Sequence, residues 1–132
     1  MNNECIFCKL VNKEIPAFIV YEDDKFVSFL DIKPVTLGHT VTIPKSHHVW
    51  MEEAPDEVVG GAFIVVKKIM QAMKRTLDCD FVEVAVMGEQ VPHFHISAVP
   101  RKFHDSVNRH DTTEYKDNEE KSFFQKKIRD NI

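Results

Sequence analysis

The sequence predicts an α+β domain in which an antiparallel sheet packs against one long helix. Residues 56–77 have apolar side chains at the three- and four-residue spacing of one buried helical face, whereas the other apolar runs are short. Most of the short runs are separated by turns that cannot hold a crossover helix, which favours antiparallel pairing of strands.

The first half of the chain predicts one helix and three strands. Asp23 and Asp24 separate two short apolar runs, which is typical of a hairpin with a polar turn at its tip. Pro44 ends the third strand, because proline cannot donate to a strand ladder. The predicted elements in this half are a short helix over residues 5–12 and strands over residues 18–21, 25–30 and 39–43.

The second half contains the long helix, two strands and a charged end. Gly60 and Gly61 weaken the helix locally, and we expect them to let another element approach closely. We assign residues 1–110 to one domain and residues 111–132 to a charged helical tail. The predicted elements in this half are a helix over residues 56–77, strands over residues 81–87 and 91–99, and a helix over residues 117–131.

Composition and charge exclude several classes of function. The 132 residues carry a net charge of −4, which argues against a general nucleic-acid-binding protein. The longest apolar stretch is far below the ~20 residues of a membrane helix. The chain begins Met-Asn-Asn-Glu, unlike a secretory signal, and it has only three cysteines. We therefore expect a cytoplasmic protein that binds neither nucleic acid nor membrane.

Histidines are the unusual feature of the composition, and two of them share one predicted strand. Alternation over residues 91–99 would place His93, His95 and Ser97 on one face. A neutral imidazole is a nucleophile and a proton carrier near neutral pH. Such a row could attack phosphorus while Gln90, Ser97 and nearby backbone N–H groups hold the phosphate oxygens. The alternative is a half-exposed strand with incidental polar residues.

The Cys5-x-x-Cys8 spacing is that of a metal-binding or redox pair. His47 and His93 could complete a Cys₂His₂ tetrahedron, which is a closed structural zinc set. A redox switch and two reduced, partly buried thiols are the alternatives that the spacing leaves open.

Residues 88–101 resemble the signature of the histidine-triad (HIT) nucleotide hydrolases and transferases, in which His-x-His-x-His precedes apolar residues. Further landmarks occur upstream in the family's order, so the resemblance covers about residues 5–101. Those landmarks include Cys5-Ile6-Phe7-Cys8-Lys9, Phe29-Leu30-Asp31-Ile32, Gly38-His39-Thr40 and Ile43-Pro44-Lys45. The resemblance implies a five-stranded antiparallel sheet with helices and a homodimer with two sites.

The resemblance also implies roles for individual residues. His95 would form a covalent nucleotidyl intermediate, His39 would orient it, and Asp31 would accept hydrogen bonds from the ribose hydroxyls. Apolar residues, each of which could instead pack in the core, would surround the base: Phe7, Leu10, Phe29, Leu30 and Ile32. Relatives with the same cysteine and Pro-Lys-x-His arrangement bind zinc through the residues that match Cys5, Cys8, His47 and His93.

These features predict a nucleoside 5′-phosphoryl hydrolase or transferase whose substrate is a phosphoramidate or a dinucleoside polyphosphate, and whose binding partner is a purine nucleotide or dinucleoside polyphosphate. Ser97 stands where the family has its third histidine, and a serine cannot carry a proton near pH 7. General acid–base catalysis contributes about 10²–10⁴-fold, so we expect a slower enzyme. The alternative is a zinc-stabilised nucleotide-binding protein with little or no turnover.

Overall fold

We describe the protein from a computed structural model, in which residues 4–132 are described. The expectation about a secretory signal is based on the first residues of the sequence. Residues 1–3 among them lie outside the described residues. The elements in chain order are α1 (Ile6–Val11), β1 (Ile19–Glu22), β2 (Phe26–Leu30), β3 (Thr40–Pro44), a 3₁₀ turn (Met51–Glu53), α2 (Asp56–Thr76), β4 (Phe81–Met87), β5 (His95–Arg101) and α3 (Asn118–Arg129).

The strands form one five-stranded sheet in the order β1-β2-β3-β5-β4, and every neighbouring pair is antiparallel. This confirms the predicted α+β class, with one long helix and shorter helices near the two ends. None of the helices between residues 4 and 132 has the length and apolarity that a bilayer crossing needs.

The last strand begins later than the sequence predicts. β5 starts at His95 rather than at residue 91, because the preceding turn bonds to the segment after β3. The backbone N–H of Phe94 donates to the carbonyl of His48 at 2.6 Å. The predicted strand over residues 91–99 is therefore wrong at its start, and His93 lies before the sheet. Pro44 also lies within β3 as its last residue, not beyond it.

The long helix α2 covers one face of the sheet. Acidic Asp56 and Glu57 lie in its first turn and basic Lys74 and Arg75 in its last, as the helix dipole favours. Its buried residues repeat at helical spacing and contact the buried face of the strands: Ala62, Val65, Val66, Ile69, Ala72 and Met73.

The C-terminal helix α3 packs on the same core as α2. Asp117 caps the helix, since its carboxylate accepts the backbone N–H of Glu120 at 2.9 Å. Ile128 is fully buried in the α2 core, and Tyr115 is buried there just before the helix. The predicted division at residue 110 stays a prediction, although residues on both sides of it contribute to one apolar cluster.

The second face of the sheet is covered only in part by α1. A smaller apolar cluster lies between α1 and strands β2 and β3, and its buried members are Leu10, Val27, Phe29, Val41 and Ile43. The other half of this face, over β5 and β4, carries His95 and Ser97, which are partly exposed. The fold therefore presents these two side chains beside α1, on the face opposite the main core.

We expect alanine substitutions at the two glycines of α2, Gly60 and Gly61, to change stability in opposite directions. A Cβ at Gly61 would lie 2.7 Å from the ring of Phe26, which is held in the core, whereas a Cβ at Gly60 would meet nothing within 4 Å. We expect Gly61→Ala to lower the free energy of unfolding by about 1–3 kcal/mol. Gly60→Ala, the matched control, should raise it by about 0.5–1 kcal/mol, because alanine favours the helix. Chemical denaturation measures both; equal effects would contradict this packing.

Candidate functional site

The first turn of α1 brings Cys5 and Cys8 together. Cys5 is the N-cap residue, and its Sγ accepts the backbone N–H of Cys8 at 3.4 Å. Capping by a side chain satisfies an otherwise unpaired N–H at the start of a helix. Both thiols are buried, each with 1% exposure. The Cys-x-x-Cys spacing therefore becomes a pair of sulfur ligands fixed at one helix end.

His93 reaches these sulfurs from the turn before β5. Its Nε2 bonds to the carbonyl of Pro44 at 2.9 Å, and a carbonyl only accepts, so Nε2 carries the proton and Nδ1 the lone pair. Nδ1 lies 3.4 Å from the Cys5 Sγ and 3.6 Å from the Cys8 Sγ. Burial lowers the pKa of His93 to about 4, which keeps the ring neutral at pH 7.

His47 completes a cluster that fits a tetrahedral metal ion. Its Nδ1 lies 3.1 Å from the Cys8 Sγ and 3.2 Å from the His93 Nδ1. All four potential ligand atoms lie within 4.8 Å of one another. Two sulfurs and two imidazole nitrogens are a donor set of closed structural zinc sites. The structure thus brings together every residue predicted as a metal ligand.

His95 is oriented by the backbone of His93. Its Nδ1 donates to the His93 carbonyl at 2.8 Å, and in the neutral imidazole this tautomer places the lone pair on Nε2. The ring of Phe7 meets that of His95 edge-on at 5.3 Å and that of His93 at 6.0 Å. Helix α1 thus packs against both histidines. The arrangement leaves Nε2 of His95 able to act as a nucleophile or a base.

His39 and Asp31 lie side by side where β2 and β3 meet. The Nδ1 of His39 accepts the backbone N–H of Val35 at 3.0 Å, so its Nε2 carries the proton. That Nε2 is buried, has no hydrogen-bond partner within residues 4–132, and lies 3.7 Å from an Asp31 oxygen. A buried unpaired donor costs about 1–3 kcal/mol, which marks it as a donor for a ligand.

The charge of His39 is set by its surroundings. Burial lowers its pKa, and the nearby carboxylate of Asp31 partly opposes this effect. Positive charge on His95 or Arg109 lowers the pKa of His39 further. His39 is therefore a neutral N–H donor at pH 7.

Ser97 and Gln90 differ in how they are placed. Ser97 lies on the same strand face as His95, with Val41 opposite it on β3 and Ala85 opposite it on β4. Ser97 is partly exposed. Gln90 is exposed in the turn between β4 and β5.

The predicted cleft residues separate into three groups. Phe7 and Phe29 contact each other edge-on at 5.4 Å beside His95, and Ile32 is 75% exposed. Leu10 is buried beneath α1. Leu30 packs with α2 on the other face of the sheet, because strand alternation turns it away from Phe29. The structure therefore places Leu30 in the core rather than in the cleft.

Two arginines lie beside this face, and of these the sequence interpretation missed Arg109. Arg101 binds Asp105 through two nitrogens at 2.7 Å and Glu83 at 2.5 Å. Arg109 forms a second ion pair with Glu83 at 2.7 Å. No periodicity could signal Arg109, because it lies in an irregular segment beyond the recognised motifs.

Comparison with known proteins gives a family match and two relatives with enzyme names. A model of the family described as HIT domain matches residues 12–104. The protein named adenosine 5′-monophosphoramidase from Saccharomyces cerevisiae is 36% identical over 101 residues, covering 74% of this chain and 63% of the relative. The protein named adenylylsulfatase from Arabidopsis thaliana is 34% identical over 112 residues, covering 81% and 57%.

A solved structure resembles the chain over nearly its whole length. It is the crystal structure of a Zn-bound histidine triad family protein from Mycobacterium smegmatis. The TM-score is 0.84 at 32% sequence identity, with 95% of this chain and 93% of that chain covered.

The environment of His39 predicts that its imidazole has a lowered pKa. We expect its pKa below the usual 6.5, and lower still in Asp31→Asn, because the substitution removes the charge that raises it. A lowered folded pKa means that stability from this group is present above pH 6.5 and is lost as the pH falls. NMR of the ring nitrogens measures both pKa and tautomer.

The exposed hairpin variant Asp24→Asn is the control for that measurement and should leave the His39 titration unchanged. A pKa above 6.5 or a proton on Nδ1 would contradict the described environment.

Proposed function

The chain belongs to the HIT domain family, and we propose that it is a nucleoside 5′-phosphoryl hydrolase or transferase acting through a covalent nucleotidyl-His95 intermediate. The observation that carries this proposal is the hydrogen bond from His95 Nδ1 to the His93 carbonyl, which in the neutral imidazole leaves the lone pair on Nε2. The enzyme names of the yeast and Arabidopsis relatives support nucleotide hydrolysis in general.

The proposed reaction has two displacements at phosphorus. His95 Nε2 attacks the 5′-phosphorus, a nitrogen–phosphorus bond forms, and the bond to the leaving group breaks. Water then attacks the same phosphorus and frees Nε2, which releases a nucleoside monophosphate. The His93 carbonyl stabilises positive charge on the ring by accepting its Nδ1–H. Ser97, Gln90 and nearby backbone N–H groups hold the phosphate oxygens in this scheme.

The ribose and base are proposed to lie beside His39 and α1. One oxygen of Asp31 accepts the backbone N–H of Lys33 at 2.9 Å, which fixes the carboxylate while its remaining acceptor positions face ribose hydroxyls. Phe7 and exposed Ile32 would contact a purine base, and an apolar ligand explains such exposure of a large side chain. Leu10 would support this contact from beneath α1.

Zinc is the proposed occupant of the cysteine and histidine cluster. The four ligand atoms and the fixed tautomer of His93 fit it, and the Zn-bound relative supports the choice of metal. Bound there, zinc would supply structural cross-linking between α1 and the turn before β5. No step of the proposed reaction involves the metal.

A homodimer is the proposed assembly. Strand β4 lies at an edge of the sheet and carries exposed Phe81, Val86 and Met87. Phe63 and Ile64 are exposed on α2. A second copy of the chain would cover apolar side chains that otherwise face water.

Loss of the nucleophile predicts loss of turnover. We expect His95→Ala to lower hydrolysis of adenosine 5′-phosphoramidate and diadenosine polyphosphates by about 10⁴-fold or more, because the proposed covalent intermediate forms on the His95 imidazole. His104→Asn is the matched control, since His104 is exposed and asparagine tolerates its positive φ. Steady-state kinetics with purified protein measures the rates of both variants.

Equal rates for the wild type and His95→Ala would show that the nucleophile is assigned wrongly. Nucleotide binding without turnover by the wild type would favour a nucleotide-binding role.

Removal of the metal predicts loss of stability. Protein purified without chelators should contain about one zinc ion per chain by elemental analysis. Chelation should lower the melting temperature by about 5–15 °C, because the ion links α1 to the β4–β5 turn. Cys8→Ser should lose the metal, whereas Cys79→Ser, which lies outside the cluster, should keep it. A metal-free wild type would refute the zinc site.

A further inference from the structure

Ser97 restricts which leaving groups the site can help. The amine of a phosphoramidate must gain a proton as its bond to phosphorus breaks, and serine cannot supply one near pH 7. A phosphate leaving group departs as an anion and needs neutralising charge instead. A cation close to Ser97 would therefore favour anhydride substrates.

The cation is Arg109, which forms an ion pair with Glu83 on the strand face that carries Ser97. In the β4–β5 ladder, Glu83 pairs with Val99 and Ala85 pairs with Ser97. Paired residues and alternate residues share a face, so Glu83 and Ser97 lie on one face about 7 Å apart along the strand direction. The guanidinium of Arg109 is 2.7 Å from Glu83 on this surface.

Hydrogen bonds hold the segment that carries Arg109 on both sides of this residue. Asp105 accepts two hydrogen bonds from Arg101 and one from the backbone N–H of Val107. Further along, the backbone N–H of Thr113 donates to the carbonyl of Pro34 at 2.7 Å. Arg109 thus lies between anchors at the end of β5 and at the loop between β2 and β3.

Arg101 and Arg109 differ in how far their guanidinium groups are engaged in hydrogen bonds and ion pairs. Arg101 is 15% exposed and donates to Asp105, Glu83 and the Val107 carbonyl, so its guanidinium is largely committed. Arg109 is 34% exposed, and its recorded ion pair, within residues 4–132, uses one terminal nitrogen. Its charge also acts on buried His39, which places it near the proposed nucleotide.

We propose that Arg109 binds the anionic leaving group of a nucleotide substrate and makes this site selective for dinucleoside polyphosphates over phosphoramidates. This inference rests on the proposed function. Attack by His95 Nε2 forms the nitrogen–phosphorus bond, and the electron pair of the broken P–O bond stays on the departing phosphate oxygen. Arg109 neutralises the charge on that oxygen by donating hydrogen bonds, and no proton transfer is required. Water then releases the nucleoside monophosphate and regenerates His95.

The test compares a substrate whose leaving group must be protonated with one whose leaving group departs as an anion. We expect Arg109→Gln to lower kcat/KM for diadenosine tetraphosphate by about 10–100-fold, the worth of a charge-assisted hydrogen bond. The rate with adenosine 5′-phosphoramidate should change little. Arg109→Lys should recover part of the loss. Lys102→Gln is the matched control, because it removes one charge from the same segment at an exposed position.

The outcomes separate this inference from the proposed function. Equal losses with both substrates, or none with either, would overturn the role of Arg109 while His95→Ala still abolishes turnover. Activity retained in His95→Ala would instead overturn the proposed function. If turnover is absent, calorimetry decides: Arg109→Gln should weaken binding of ADP by about 10-fold and leave that of AMP unchanged. Equal effects on ADP and AMP would overturn the inference.

Discussion

The hydrogen bond between His95 Nδ1 and the His93 carbonyl is the contact on which the candidate site depends. Residue 93 is itself held from two sides, since its Nε2 donates to Pro44 and its Nδ1 lies among the sulfurs of Cys5 and Cys8. The ring that faces the proposed metal and the carbonyl that orients His95 both belong to His93. The candidate metal cluster and the proposed nucleophile are therefore connected through His93, and Phe7 of α1 contacts the rings of both His93 and His95.

Net charge limits how this unit can hold a phosphate. The chain carries −4, and Arg101 and Arg109 both form ion pairs with acidic residues. Arg101 is committed to Asp105 and Glu83, whereas Arg109 pairs with Glu83 and is 34% exposed. In the proposed function, neutral N–H donors such as His39 Nε2 and the partly exposed guanidinium of Arg109 would hold the phosphate.

Local patterns in the sequence predicted most elements, and they indicated the residues of the candidate metal cluster. Helical spacing identified α2, and the two cysteines and two histidines of the cluster were all found. Alternation failed before His95, because Phe94 bonds to His48 outside the sheet. The position of Arg109 depends on tertiary contacts such as Thr113 with Pro34, which no local pattern encodes.

The position of a trapped nucleotide on the protein tests the central claim most directly. The wild type would be mixed with labelled substrate, quenched during turnover and mapped by mass spectrometry, with NMR of phosphorus to distinguish the two ring nitrogens. Because Nδ1 of His95 is held by the His93 carbonyl, the account predicts an adduct on Nε2 of His95. An adduct on Nδ1, on another residue, or none during measurable turnover would contradict it.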